Sequence, residues 1–193
     1  MLPNFLCIGA PKSGTTTLYE ILKQHSQIGV SSFKEPHFFD NDNNWQRGLR
    51  WYEKTYFSHI KNESIIGEFT PSYLGCAKTY NRINDSLGDD LKFVVILRNP
   101  IERAYSQYLH TKRDTYEDLD FLEALKEEKR RLREGGFEEL LKFSYISQGL
   151  YFKHLQEYLN VFSKENLHVI FFEEFIKNTK KEIKKLQVFL QIQ

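Results

Sequence analysis

The sequence predicts an α/β fold, a mainly parallel central sheet flanked by helices. Strand-like and helix-like stretches alternate along the chain. Lys92 to Leu97 reads Lys-Phe-Val-Val-Ile-Leu, the near-continuous apolar run of a strand buried on both faces. Ile8 to Leu18 reads Ile-Gly-Ala-Pro-Lys-Ser-Gly-Thr-Thr-Thr-Leu, a Gly/Ser/Thr loop directly behind an apolar run. The length of 193 residues suits one domain with a single core.

The elements follow in order. Asn4 to Gly9 is a short strand, and the loop behind it opens a helix over Thr15 to His25. Gln27 to Ser31 is a brief strand candidate, and Lys34 to Asn44 is a loop of polar and aromatic residues. Trp45 to Phe57 reads as helix, Ser64 to Glu68 as strand, and Cys76 to Leu87 as helix, with a turn at Gly88 to Asp90. The buried run of Lys92 to Leu97 precedes a helix over Ile101 to Thr111, with Pro100 at its favoured place just ahead. Leu119 to Glu134 is a charged helix with Gly135–Gly136 as its C-cap. Its Lys/Arg/Glu run predicts a solvated face laced by i,i+4 pairs. Leu150 to Phe162 is amphipathic, Leu167 to Phe172 is an apolar strand, and Thr179 to Leu190 is the last helix.

Composition narrows the function classes. The formal net charge is +1, which argues against a broad nucleic-acid-binding surface, so any positive potential is local. Two cysteines, Cys7 and Cys76, make neither a disulfide framework nor a metal-ligand spacing, and Cys7 reads as a small core residue. No run is long enough to span a bilayer. The first strand begins almost at Met1, which leaves no room for a signal peptide and implies a cytoplasmic protein.

The first loop is the strongest chemical signal. A strand–loop–helix junction aims free backbone N–H groups and the positive helix end at one point, where a phosphate is the usual occupant. Pro11, Lys12, Ser13, Gly14, Thr15, Thr16 and Thr17 all suit one anion site, and Lys12 adds a full positive charge. Gly9 and Gly14 have the spacing of the ATP/GTP loop G-x-x-x-x-G-K-[ST]. Thr15, however, stands where that pattern has lysine, and the lysine lies two residues ahead of the glycine. That shift argues against triphosphate chemistry. The plainer reading is a glycine turn that caps a helix through Ser13 or Thr15.

A second anchor follows the buried strand: Leu97-Arg98-Asn99-Pro100-Ile101-Glu102-Arg103-Ala104-Tyr105-Ser106-Gln107-Tyr108. Ligands of open α/β sheets sit beyond the carboxyl ends of the strands. Arg98 stands at such an end and offers a charged fork to a phosphate, and Ser106 offers a hydroxyl about two turns into the next helix. Taken alone, they read equally as an arginine paired with a carboxylate and a surface serine.

Taken together, Pro-Lys-Ser-Gly-Thr-Thr and Leu-Arg-Asn-Pro-x-x-Arg-Ala-x-Ser-x-Tyr resemble the two cofactor signatures of sulfotransferases that use 3′-phosphoadenosine-5′-phosphosulfate (PAPS). Three further stretches resemble the heparan-sulfate-type and related bacterial members: Lys34-Glu35-Pro36-His37-Phe38-Phe39-Asp40, Ile66-Gly67-Glu68-Phe69-Thr70-Pro71-Ser72-Tyr73, and Gly149-Leu150-Tyr151-Phe152-Lys153-His154-Leu155. The resemblance runs over nearly the whole chain. It implies a three-layer P-loop-like fold, with PAPS as donor and adenosine 3′,5′-bisphosphate as product. In that family the first loop cradles the 5′-phosphosulfate, and the arginine and serine at Arg98 and Ser106 bind the 3′-phosphate. The two anion pockets are then expected to share one cleft. The family usually has aspartate where Asn99 stands.

The same resemblance implies the remaining roles. Lys12 stabilises the leaving group without a metal ion. Glu35 is the first candidate for general base and His37 the second. A raised pKa from burial suits a glutamate base, and Lys34 opposes that shift. Lys34, Glu68, Thr70 and Tyr73 are candidate acceptor contacts, whereas Tyr151 and His154 read as structural. Phe38, Phe39, Trp45, Trp51, Tyr52 and Phe57 read mainly as core.

The sequence departs from the family at Phe69, where several glycosaminoglycan enzymes have a substrate-contacting lysine. Residues 1–193 are expected to form a single sulfotransferase domain that lacks the usual C-terminal segment, a loop of basic residues and glycine over the 3′-phosphate. The expected acceptor is a small-molecule or carbohydrate hydroxyl, or an amine, with its identity and the oligomeric state left open. The competing readings are a P-loop small-molecule kinase and a non-catalytic nucleotide-binding domain.

Overall fold

The computed structural model describes residues 1–192. Strand β1 (Phe5–Gly9) is buried at every residue. Helix α1 (Thr15–Leu22) buries Thr15, Leu18, Tyr19 and Leu22, one stripe at helical spacing. Strand β2 (Ile28–Val30) leads into the loop over residues 31–41 and the short α2 (Asp42–Trp45), whose first turn is capped by the Asn41 side chain. Helix α3 (Leu49–Tyr56), strand β3 (Ile65–Phe69), helix α4 (Thr79–Leu87) and strand β4 (Lys92–Leu97) follow. A long excursion comes next: α5 (Pro100–Arg113), α6 (Phe121–Glu134), α7 (Phe137–Phe143) and α8 (Tyr151–Leu159). Strand β5 (Leu167–Phe171) returns to the sheet and passes directly into α9 (Phe172–Lys177) and α10 (Thr179–Leu190).

Among the described residues the five strands form one all-parallel sheet in the order β2-β3-β1-β4-β5. Successive side chains of a strand point to opposite faces, and the sheet divides its apolar residues accordingly. Leu6 and Ile8 of β1 and Phe93 and Val95 of β4 join Tyr52, Ile83 and Tyr158 from α3, α4 and α8 on one face. Phe5, Cys7, Val94 and Ile96 join Leu18 and Leu22 of α1 and Leu186 and Leu190 of α10 on the other. The result is the expected helix–sheet–helix sandwich. Gly67 is needed inside it, because a Cβ there would lie 2.3 Å from the Phe5 ring on the neighbouring strand.

Several boundaries differ from the sequence expectation. The stretch expected as one helix from Trp45 begins only at Leu49, because Gly48 (φ 81°) breaks it from the preceding turn. The helix expected from Cys76 starts at Thr79, behind a 3-10 turn over Pro71–Gly75. Helices α7 and α9 lie in stretches too short for a readable period. Helix α7 is started by Glu139, whose carboxylate accepts the Gly136 N–H at 2.7 Å.

The charged helix α6 is also less solvated than its composition suggests. Arg130 pairs with Glu127 and Glu134 in solvent, but buried Glu128 accepts the backbone N–H groups of Ile146 and Ser147 at 2.6 and 2.8 Å. Gly135 does end α6, at φ −94° and so without the left-handed cap. Cys7 and Cys76 are buried free thiols. Among the described residues no helix is long and apolar enough to cross a membrane.

Candidate active site

The segments that leave the carboxyl ends of β1, β2, β3 and β5 converge with α5 and α7 around a cavity of about 590 Å³. That is the size and place expected of a small-molecule site on an open parallel sheet. Pro11, Lys12, Gly14, Thr15 and Thr16 of the first loop line it. Gly14 is the N-cap of α1 in a left-handed conformation (φ 87°), and no side chain caps the helix. The first-turn N–H groups of a helix have no intrahelical partners, so this uncapped end presents donors and the positive pole of α1. The Phe172 ring would meet a Cβ on Gly14 at 3.1 Å, so both conformation and space call for glycine. Lys12 also has a positive φ (64°), and burial lowers its ammonium pKa.

The loop after β2 supplies the facing groups. Lys34 and Glu35 line the cavity and pair with each other. His37 Nε2 lies 3.7 Å from Glu35 Oε2, and His37 Nδ1 lies 3.0 Å from Oδ2 of the fully buried Asp40. Ser72, another cavity residue, donates to the same Asp40 oxygen at 2.6 Å. Burial opposes charge on His37, yet the Asp40 and Glu35 carboxylates push its pKa up to about 9. For Glu35, burial acts upward, but His37 and Lys34 together bring its pKa down to about 2. The raised pKa that would suit Glu35 as base is thus absent. At neutral pH the cluster is a carboxylate flanked by an ammonium and an imidazolium, and His37 has no free lone pair with which to act as base.

Glu35 and His37 both have a positive φ, 61° and 49°. Such a conformation costs a non-glycine residue about 1–2 kcal/mol, so the surroundings must hold it. A buried network below the loop does this. The Tyr73 hydroxyl accepts the N–H groups of Phe38 and Phe39 at 3.0 and 3.2 Å and donates to Glu68 Oε2 at 3.0 Å. Tyr52 and Thr70 donate to the same carboxylate at 2.7 and 2.5 Å. Burial pushes Glu68 up to about 7 against the pull of these three hydroxyls.

This geometry corrects part of the expected acceptor surface. Glu68, Thr70 and Tyr73 have no solvent exposure and do not border the cavity; their polar atoms face each other and the backbone of the 38–39 segment. They support the wall and do not form it. Lys34 does line the cavity. In the first loop, Ser13 is buried beside Tyr151, and Thr17 is exposed and does not border the cavity.

Arg98 is tied to the first loop: Nη1 donates to the Lys12 carbonyl at 3.2 Å, Nη2 pairs with the Glu102 carboxylate at 3.3 Å, and the guanidinium lies 4.8 Å from the centre of the Phe172 ring. Neither Arg98 nor Ser106 borders the cavity itself. Phe172 does, and the Arg98 guanidinium packs against its ring. Asn99 has a structural task, because its side chain caps α5 by accepting the N–H groups of Ile101 and Glu102. Tyr151 donates to the Arg98 carbonyl at 2.9 Å and so braces the same corner.

Other cavity residues were not singled out from the sequence: Ser72, Arg103, Gln107, His110, Lys142 and Gln148. Asp40, Ser72, Arg103 and Gln107 lie within the family-like segments, and that position is the signal they carry. Gln148 and Lys142 carried none. Among the described residues no group of His, Cys, Asp or Glu is arranged to hold a metal ion.

A sulfotransferase-domain family profile matches residues 2–193. Heparan sulfate glucosamine 3-O-sulfotransferase 5 of Mus musculus is 30% identical over 198 aligned residues, covering 99% of this chain and 54% of that protein. The chain thus spans about half the length of the curated relatives it matches. A solved sulfotransferase from Alicyclobacillus acidocaldarius superposes with a TM-score of 0.89 at 32% identity, covering 100% of this chain and 82% of that one. Mouse sulfotransferase SULT7A1, solved in complex with PAP, shares the fold at a TM-score of 0.58 and 18% identity, covering 99% of this chain and 58% of that one.

Proposed function

The chain belongs to the sulfotransferase-domain family, and from that premise we propose that it transfers a sulfuryl group from PAPS to an acceptor hydroxyl or amine by in-line displacement. One observation carries this reading: the uncapped, lysine-bearing N-terminus of α1 and the Glu35–His37–Asp40 cluster line or adjoin one cavity. The residues present suit a bisphosphorylated nucleotide. The left-handed Gly14 leaves the helix end open, and Arg98 Nε is buried without a partner, as a group that awaits an oxyanion would be. Residues 1–193 are read as one domain of such an enzyme.

When bound, the nucleotide supplies the sulfuryl group and leaves as adenosine 3′,5′-bisphosphate. Lys12 and the N–H groups of Gly14 to Thr16 hold negative charge on the leaving oxygen. Their dipoles are already in place, so they favour the transition state over the ground state. Arg98, with Ser106 further along α5, takes the 3′-phosphate. Glu35 receives the proton of the acceptor. With its pKa near 2 it is a weak base, suited to a loose transition state in which the proton moves late. The His37 imidazolium, held by Asp40, orients Glu35 and keeps it ionised. Heparan sulfate glucosamine 3-O-sulfotransferase 5 is among the relatives, so a carbohydrate hydroxyl is the acceptor class proposed here.

Two measurements test the reading. Adenosine 3′,5′-bisphosphate should raise the melting temperature, and ATP with magnesium should not. Radiolabelled sulfate from PAPS should then pass to a member of a carbohydrate acceptor panel. Stabilisation by ATP with magnesium alone would instead favour a kinase, and nucleotide binding without transfer would favour a binding domain.

A further inference from the structure

Arg103 of α5 is the largest fully buried side chain among the described residues, and it borders the cavity. Only one of its three guanidinium nitrogens is engaged. Nη2 donates to the carbonyls of Ser144, at 3.1 Å, and Tyr145. Nε and Nη1 have no partner. Three N–H bonds of a charged group are therefore buried without an acceptor, which is costly and rare in native proteins. The clamp on residues 144–145 does not account for them, because it uses Nη2 alone.

The charge is also under-compensated. Burial and the Arg98 guanidinium oppose its charge; Tyr151 and Glu128 favour it, but both Glu128 oxygens already accept backbone N–H groups. The buried, unpartnered Oε1 of Gln148 also borders this cavity, but as an acceptor it calls for a donor and not for the anion. Gln148 is seated there by Gly75, where a Cβ would lie 2.6 Å from its carboxamide.

We infer that Arg103 is a further anion-binding residue of this cleft, its Nε–H and Nη1–H bonds taking an oxyanion oxygen from the bound nucleotide or from a carboxylate or sulfate group of the acceptor. The inference rests on the proposed sulfotransferase reading for the origin of that anion. The chemistry is the same for either source: a charged oxygen replaces the missing acceptors and offsets the buried cation.

The test follows the Arg103 Nε–H resonance of the whole chain by ¹⁵N–¹H NMR, assigned with Arg103→Lys. Three additions are made separately: adenosine 3′,5′-bisphosphate, sodium sulfate, and glucuronate with the nucleotide present. Movement with the nucleotide alone assigns the oxyanion to the donor side. Movement only with sulfate or glucuronate assigns it to the acceptor side. Arg103→Lys, which keeps the charge, should weaken the responsible ligand about ten- to hundredfold. A resonance unmoved by all three would overturn the inference and leave Arg103 as a clamp with bound water. Melting in the presence of the nucleotide separates the two proposals. If the nucleotide stabilises the chain while Arg103 stays silent, only this inference fails. If it does not, the sulfotransferase reading fails, and the sulfate arm still decides on Arg103.

Discussion

Asp40→Asn is the most informative single change. Asp40 is fully buried, lies 3.0 Å from His37 Nδ1, and accepts from Ser72 at 2.6 Å. Asparagine keeps the shape and removes the charge. In the native protein His37 is pushed from its ordinary 6.5 up to about 9, with burial working against Asp40 and Glu35. At about 1.4 kcal/mol per pH unit, that shift is on the order of 3 kcal/mol. Asp40 is the strongest of the groups that raise it, so the variant should bring the His37 midpoint down by more than about one unit.

The sign follows from linkage. The fold favours protonated His37, so this stabilisation is complete below pH 6.5 and is lost as pH rises through about 9. In the variant the loss moves to lower pH. Turnover should follow the same course. Wild-type kcat/KM is expected to be level near neutrality and to fall above about pH 9, as Glu35 loses its imidazolium partner. In the variant that limb should enter the neutral range. His37 Hε1 titration by NMR and a pH profile of sulfate transfer read the two effects. The facing charges are Glu35 and Asp40, and the Phe137 ring edge covers the imidazole. If His37 titrates at the same pH in Asp40→Asn, the charge argument is wrong.

Lys12→Ala should lower kcat by about a hundredfold or more in a single-turnover transfer assay, the usual loss for a group that stabilises a leaving oxyanion. A change within a few-fold would reassign Lys12 to mere loop structure. Tyr73→Phe leaves the N–H groups of Phe38 and Phe39 without their acceptor. It should cost about 2–4 kcal/mol in urea unfolding, with a fall in kcat as the Glu35 loop relaxes. Gly14→Ala meets both the left-handed backbone and the Phe172 ring. It should destabilise the fold by about 1–2 kcal/mol and weaken adenosine 3′,5′-bisphosphate in a calorimetric titration.

The fold class, the sheet and the first loop were legible because each depends on neighbours in sequence. An apolar run such as residues 92–97 has no alternative to burial between layers, and the left-handed Gly14 that opens α1 lies within the Pro-Lys-Ser-Gly-Thr-Thr loop itself. Helices α7 and α9 were not legible, since six or seven residues hold too little of a period to separate from loop or strand.

The site divides along the same line. Lys12, Glu35 and His37 become candidates by residue type and motif. Whether Glu35 is a raised or a lowered carboxyl is decided by His37, Lys34 and Asp40 in space. The fate of Glu68 was likewise beyond local reading. Only the packed structure turns it inward to Tyr52, Thr70 and Tyr73, and leaves Arg103 buried beside the cavity with donors unfilled. Local pattern determines which backbone a segment can adopt and which charges it carries. The dielectric around those charges, and the partners they meet, come from residues distant along the chain, so burial and protonation belong to the tertiary structure alone.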